Sequence, residues 1–560
     1  MNRLLGAASL VVLAGLAFAS PSLHAAWVPD GIGICTMTGA QLNPQIIPDG
    51  TGGVIMVWQD ARGTYHNVYA QRVDAGGVIQ WAADGVAICS PANYHVNPQL
   101  VSDGAGGAII TWGDTRSGSS GSDIYAQRID PSGTVLWTAN GVVICAATGD
   151  QFAPEIVSDG AGGAVICWRT GGYTASRAYA QRVDASGAVL WTADGVLLCS
   201  TSTSQWDPDL ASDGAHGAIV TWYDHRSNLN YDIYAQRIDA VGAILWGSGA
   251  AAVSTARADQ IYPEIACDGA GGAIITWTDS RNPSYTDVYA QRIDTLGNLM
   301  WGADGVAVGS AAGYQSLPQI IADGAGGAVI SWQDARVSGF DIYAQRYDIG
   351  GTALWGGGVI VCSAADEQDN LALAPDGTGG AVIAWRDGRN SNDDIYAQRV
   401  DGLGGTRWVT NGAGVCVQRN AQDQVQVASD GEGGAIFVWR DYRTGASSDI
   451  YATALTEYGT GVENPGAPSA SYLAQNFPNP FNPVTRIAFG IMAPGRGSLR
   501  IYDAAGRLVR VLVGGYRAAG QYMEIWDGND TGGRAVASGM YFYRLDAGPF
   551  TQTRKMILLR

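Results

Sequence analysis

The chain has 560 residues and a formal net charge of −18, with 78 Gly, 25 Tyr and 18 Trp. That length accommodates more than one domain, and a composition so rich in turn formers and aromatics is that of a β-protein rather than a disordered one. The acidic balance speaks against phosphate backbones as ligands, so no nucleic-acid partner is expected.

Residues 1–26 read as a signal peptide. Arg3 precedes an apolar run from Leu4 to Phe18, and Ala17-Phe18-Ala19 offers a small-x-small cleavage pattern, with Ala25 or Ala26 as alternatives. The run is short for a membrane span, which disfavours a retained anchor. No later segment has the apolar length to cross a bilayer, so the mature chain is expected to lack a transmembrane span. Export via the periplasm, to the cell surface or the medium, follows from this reading.

Export makes the eight Cys worth pairing. Six of them (Cys35, Cys89, Cys145, Cys199, Cys362 and Cys416) recur at one place in a repeat. Equivalent places in successive copies lie too far apart for a disulfide, so these are expected to be small buried side chains. Cys167 and Cys267 stay unassigned. No CxxC spacing is present, and neither a metal site nor a cofactor is expected.

Residues 27–455 are built from that repeat. An Asp-Gly pair recurs at Asp49, Asp103, Asp159, Asp213, Asp268, Asp323, Asp376 and Asp430, at intervals of 53 to 56 residues. In "SDGAGGAIITW" (102–112) the glycines run into a β-branched strand, whereas a phosphate-binding loop needs a following helix. Gly104, Gly106 and Gly107 are therefore expected to supply the positive φ angles of a hairpin. Each copy divides into four short strands joined by glycine turns, as in "PQIIADG", "GGAVISWQDAR", "DIYAQRYD" and "GGGVIVC" of residues 318–362.

Four strands per unit in eight copies imply an all-β, eight-bladed β-propeller, with a parallel β-helix as the alternative. The region thereby resembles secreted β-propeller repeat proteins. The ends favour a ring. "WVPDGIGIC" (27–35) matches the close of a repeat, and the eighth copy stops at "DIYATALTEYG" (449–459) without one. The N-terminal segment is expected to complete the last blade, a velcro closure.

Two polar motifs recur within the copies. Trp-x-Asp-x-Arg appears seven times, from Trp58/Asp60/Arg62 to Trp439/Asp441/Arg443. In a strand these three side chains share one face, and the planar guanidinium suits a carboxylate, so a salt bridge fixing each loop is expected. The third copy keeps Trp168 but has Thr170, Gly172 and Arg177 in place of the first Asp, the Arg and a later Asp. Tyr-Ala-Gln-Arg is read as packing and hydrogen bonding between blades. Neither motif is singular, and no catalytic residue is assigned.

The copies differ four residues before each Asp-Gly. Four carry Gln there and one carries Ala372, but three in succession carry Glu155, Asp209 and Glu264. A first strand lines the channel of a propeller, so these form a candidate acidic arc. Phe152, Trp206 and Tyr262, placed on the loops leading into those strands, are candidate ligand contacts. Gln41, Gln151, Gln205, Gln260, Gln315, Gln368 and Gln422, with His95 in the remaining copy, form a candidate polar ring beside them. A glycan or a peptide at the channel mouth is the expected ligand. Acid–base chemistry on a glycoside by the carboxylates is the enzymatic alternative, and a structural surface-layer component the third.

Residues 456–471, "TEYGTGVENPGAPSAS", read as a linker. Residues 472–560 carry "YLAQNFPNPFNPVTRIAFGI", "LRIYDAAGRLVRVL", "WDGNDTGGRAVASGMYFYRL" and "TRKMILLR" in order. This tail resembles the type A C-terminal sorting domain of the type IX secretion system and the related FlgD-like Ig-like domains, with Met540 where a β-branched residue is commoner. The resemblance implies a small Ig-like β-sandwich and the outer-membrane secretion machinery as partner.

Overall fold

The computed structural model describes residues 27–559, apart from 119–120, 173–175, 202, 338, 446, 458, 460–470, 477, 493–494 and 518–519. The expected signal peptide, and most of the expected linker, lie outside the described residues. Strands and turns make up the described chain, without a helix.

Eight four-stranded antiparallel sheets follow one another between residues 27 and 455. Sheet 1 comprises Gln41–Pro48, Val54–Asp60, Asn67–Val73 and Val86–Cys89. The first strands of sheets 2 to 8 are His95–Ser102, Gln151–Ser158, Gln205–Ser212, Gln260–Cys267, Gln315–Ala322, Gln368–Pro375 and Gln422–Ser429. Sheet 8 takes its outer strand from the other end of the chain: Ile32–Cys35 pairs with Asp449–Leu455. The first strand of each sheet lies against that of the next, and that of sheet 8 lies against that of sheet 1.

The second strands explain the burial. Val54–Asp60 is buried at every residue, since it has a strand on each side and a sheet on each face. Its β-branched side chains fit such a two-sided slot. Between sheets lie apolar layers; Trp27 and Ile34 of the N-terminal segment pack with Val54, Met56 and Trp58 of sheet 1 and with Val438 and Ile450 of sheet 8.

The Asp-Gly turns close by side-chain capping. Asp103 Oδ1 accepts the backbone N–H groups of Ala105 and Gly107, both at 2.8 Å. Gly104 and Gly106 have φ of +72° and +85°, as expected. Gly107 departs from expectation, for its φ is not positive. It is glycine because a Cβ there would sit 2.2 Å from the carbonyl oxygen of Ile129.

Trp-x-Asp-x-Arg forms its salt bridge in all seven copies. The geometry is not the single strand face expected. The strand ends at Asp60, the chain turns, and Arg62 folds back to donate from Nε to Oδ1 at 2.9 Å and from Nη2 to Oδ2 at 2.6 Å. Trp58 Nε1 donates to the same Oδ2 at 2.9 Å, and the guanidinium lies 3.8 Å from the Tyr69 ring centroid. Arg62 also reaches Cys35 Sγ, on the outer strand of sheet 8. The six recurrent Cys are buried and unpaired, with desolvation pushing the Cys35 thiol up to about 12. In sheet 3, where Asp is replaced by Thr170, Trp168 Nε1 is buried with no acceptor among the described residues.

Successive sheets are also joined at their outer edges. Trp81 of sheet 1 donates to Pro131 O of sheet 2, Trp137 to Ala185 O, Trp191 to Ala240 O, Trp246 to Thr295 O, Trp301 to Ile349 O and Trp355 to Gly402 O, all within 3.0–3.2 Å. Trp408 reaches Glu457 O of sheet 8, and Trp27 reaches Ala75 O of sheet 1. The Arg of Tyr-Ala-Gln-Arg reinforces several of these joints: Arg72 holds Asp49 of its own sheet and donates to Pro131 O of the next.

The C-terminal strands form a three-stranded and a four-stranded antiparallel sheet. Their shared core contains Phe481, Ile487, Phe489, Leu499, Trp526, Tyr543 and Leu558. A hairpin of strands Gly495–Asp503 and Leu508–Arg517 and two final strands, Gly539–Ala547 and Phe550–Leu558, make up the larger sheet.

Candidate functional site

Each first strand carries a bulge two residues from its start. Asn43, Asn97, Ala153, Asp207, Tyr262, Leu317, Asn370 and Gln424 all have φ between +46° and +55°. A non-glycine residue in this region costs about 1–2 kcal/mol. At several junctions the neighbouring sheet holds the bulge. Asn97 N donates to Gln59 Oε1 at 3.1 Å, Leu317 N to Thr278 Oγ1 at 3.1 Å and Asn43 N to Gln424 Oε1 at 2.9 Å.

The bulges of five sheets line a cavity of about 510 Å³. First-strand residues of sheets 1, 2, 3, 7 and 8 line it, among them Gln45, Gln99, Glu155 and Gln426, with Arg440 at the side. Glu155 Oε1 accepts from Gln99 Nε2 at 3.0 Å. Asp209 accepts two backbone N–H groups, from Leu210 at 2.7 Å and from Ile265 of the next sheet at 3.1 Å. Glu264 stands beside Gln319.

The three carboxyls are half-buried, and each sits deep in protein while keeping some open surface. Desolvation first, and the charge of Asp209 second, push Glu155 up to about 8. Desolvation raises Asp209 to about 6 against the pull of its two backbone donors. Desolvation and both neighbouring carboxylates hold Glu264 well above the usual range. The three thus feel one another, but the arc that the sequence paints as acidic holds few negative charges at neutral pH. Among the described residues they do not form a set close enough to chelate a metal. Cys89, His95 and Asp114 do lie that close. There Arg116 donates to both Asp114 and Cys89, so a guanidinium already fills the place of a cation.

The expected polar ring of Gln is corrected. Gln41, Gln151, Gln205, Gln260, Gln315, Gln368 and Gln422, with His95, are all buried rather than presented to a ligand. Their amides are used inside the fold: Gln41 Nε2, for example, donates to Gly39 O at 2.9 Å and Gln151 Nε2 to Gly149 O at 2.7 Å.

The aromatic candidates are also relocated. Phe152, Trp206 and Tyr262 lie in the first strands, not on the loops before them. Phe152 and Trp206 share one register position, whereas Tyr262 is one residue further on, at a bulge, and 45% exposed. Across from Phe152 is Arg169, the middle residue of the third Trp-x-Asp position. Its guanidinium carbon lies 5.0 Å from the Phe152 ring centroid and 5.1 Å from that of Trp206. Across from Trp206 is Tyr223. Tyr223 meets Tyr231 and Tyr262 edge-on at 5.3 and 6.1 Å, and desolvation together with the Asp207 carboxylate raises its hydroxyl.

The same two register positions differ in sheets 7 and 8. There Asp369 pairs with Arg386 and Asp423 with Arg440, both at 2.5 Å. A constant frame therefore carries an aromatic wall on sheets 3 to 5 and an ion-paired wall on sheets 7 and 8. Arg169, Tyr223 and Tyr231 escape the sequence reading. The signal for the first two was the middle residue of Trp-x-Asp, the one position of that motif that varies freely.

Comparison with known proteins gives one family match: a FlgD Ig-like domain over residues 490–548. No curated protein sequence matches the chain. Among solved structures, ulvan lyase of polysaccharide lyase family PL25 is 11% identical, with a TM-score of 0.42, covering 77% of this chain and 97% of that one. PorZ, a surface component of the type IX secretion system of Porphyromonas gingivalis, is 12% identical with a TM-score of 0.31, covering 90% and 74%. A eukaryotic initiation factor is 10% identical with a TM-score of 0.40, covering 77% and 89%. The three differ in what they do, and no function is transferred from them.

Proposed function

We propose that the chain is an exported, carbohydrate-binding eight-bladed β-propeller carried to the cell surface by its C-terminal domain. The succession of eight sheets, the contact of sheet 8 with sheet 1 and the joint from Trp27 to Ala75 support a ring closed by the N-terminal strand. In this reading residues 1–26 are the removed signal peptide, 27–455 the propeller and 456–471 a linker. Residues 472–560 engage the outer-membrane secretion machinery, and the Ig-like match within them is the support for that role.

The observation that carries the binding function is the aromatic wall. Phe152, Trp206, Tyr223 and Tyr262 gather beside the first strands, where equivalent positions elsewhere hold Asp369 or Asn370. Aromatic faces beside polar groups take up a sugar ring by stacking and hydrogen bonding. Glycan-array binding by the wild type and by Trp206→Ala tests this. The expected result is recognition of a polysaccharide by the wild type and its loss in the variant. Equal binding by both would remove the wall from the function. Secretion is tested in cells equipped with a type IX system: a chain lacking 472–560 should stay in the periplasm.

A second reading, a carbohydrate-active hydrolase, draws support from the spread of the carboxyl titrations. Glu155 would serve as acid and the more readily ionised Asp209 as base. Hydrolysis by the wild type that survives replacement of all three carboxyls by amides dismisses those residues as its acid and base, and absence of hydrolysis of any glycan dismisses the reading.

A further inference from the structure

The geometry assigns to Arg169 the recognition of an oxyanion, carboxylate or sulfate ester, on a saccharide lying against the aromatic wall; this rests on the carbohydrate-binding reading above. Arg169, Arg386 and Arg440 occupy the same position on their second strands. Arg386 and Arg440 are each neutralised across the strand pair, by Asp369 and Asp423. In sheet 3 the facing residue is Phe152, and no described carboxylate pairs with Arg169.

The surroundings orient the group instead of neutralising it. The rings of Phe152 and Trp206, from two different sheets, both lie against the guanidinium. Both rings lie within cation–π distance of the guanidinium, whose N–H groups donate in its own plane. Those N–H groups match two oxygens of one carboxylate or sulfate. Among the described residues, Nε of Arg169 is buried without an acceptor.

The neighbouring junctions sharpen the contrast. Gln59 and Thr278, at the equivalent position in sheets 1 and 5, accept a backbone N–H from the next sheet. Arginine has no acceptor, so Arg169 cannot make that joint. Its charge is thus neither a latch between sheets nor half of an ion pair. Of the three first-strand carboxyls, Glu155 lines the cavity and burial holds its proton near neutrality. A saccharide is favoured over an acidic peptide because the charge is set among ring faces.

The test uses the full secreted chain and four immobilised polymers: polygalacturonate, dextran sulfate, neutral dextran and polyglutamate. The expected result is that the wild type binds one of the two acidic polysaccharides in a salt-sensitive manner. Arg169→Gln should weaken that binding at least tenfold, given the strength of a charge-assisted contact. Arg169→Lys should restore part of it, and Arg386→Gln should leave it unchanged. Which polysaccharide binds tells a carboxylate from a sulfate ester. An unchanged melting temperature for Arg169→Gln confirms that the fold is intact. Equal binding by wild type and Arg169→Gln overturns the assignment, as does Arg169-dependent capture of polyglutamate in preference to both acidic polysaccharides. Binding of neutral dextran alone overturns it while leaving the carbohydrate reading standing. Binding of no polysaccharide overturns both.

Discussion

The indole of Trp27 donates to the carbonyl of Ala75 at 3.0 Å, and this bond joins the first residues of the described chain to the sheet that follows them. It reproduces the contact that Trp81 makes with Pro131 one sheet later. A tryptophan supplied by one end of the chain therefore acts as the eighth member of an internal series.

Trp27→Ala should destabilise the repeat region by about 3–5 kcal/mol, the usual cost of emptying a buried aromatic site. Trp27→Phe should keep part of the packing and lose the hydrogen bond, at about 1 kcal/mol for that bond. Denaturant unfolding followed by tryptophan fluorescence measures both. A change no larger than that of an exposed substitution would mean that the N-terminal strand contributes little to the fold.

Asp60 and Arg62 should be strongly coupled. Asp60→Ala leaves the Arg62 guanidinium and the Trp58 indole without their shared acceptor and should cost about 3–5 kcal/mol. The double variant with Arg62→Ala should cost less than the sum of the two single changes. A double-mutant cycle on unfolding free energies gives the coupling, and additivity would refute the network. Sheet 3 is the natural comparison, since it already lacks both groups.

Stability should fall as pH rises through the neutral range. Glu155 has a folded pKa near 8, above its unfolded value, so the folded state holds its proton more firmly. The stabilisation from that proton is complete below the unfolded pKa of about 4.3 and is lost as pH climbs towards the folded one. The slope reaches at most about 1.4 kcal/mol per pH unit for this group. Glu155→Gln should flatten the curve between roughly pH 5 and 8. Melting curves of both proteins across that window check it, and parallel curves would show that Glu155 is ionised throughout.

The glycine turn yields a paired prediction. Gly104→Ala meets no neighbour and should cost only the left-handed backbone, about 1–2 kcal/mol. Gly107→Ala drives a methyl into the Ile129 carbonyl, so it should cost more. Thermal unfolding of the two variants ranks them, and the opposite order would contradict the turn geometry.

The repeated sheets were legible in the sequence because eight copies state the same rule, and departures in one copy leave seven others to define it. Thr170 and Gly172 were informative for that reason, and the unpaired Trp168 indole is their physical trace. The candidate site was less legible. Nothing in Tyr262 or Leu317 announces a left-handed bulge, since neither is a glycine, and the register of Phe152 and Tyr262 depends on it. The Gln ring misled for a different reason. An amide capping a loop and an amide offered to a ligand look alike in sequence, and only burial separates them. Arg169 was hidden by the same economy, as a middle residue between two motif positions.

The bulges have a wider consequence. Their shape is set by strand register and by the neighbouring sheet, and Asn, Ala, Asp, Tyr, Leu and Gln all occupy them. Such positions can be exchanged one at a time without rebuilding the frame around them. The molecule is in that sense a mount with eight interchangeable fittings, so the side chains it presents there are free to diverge much faster than its architecture.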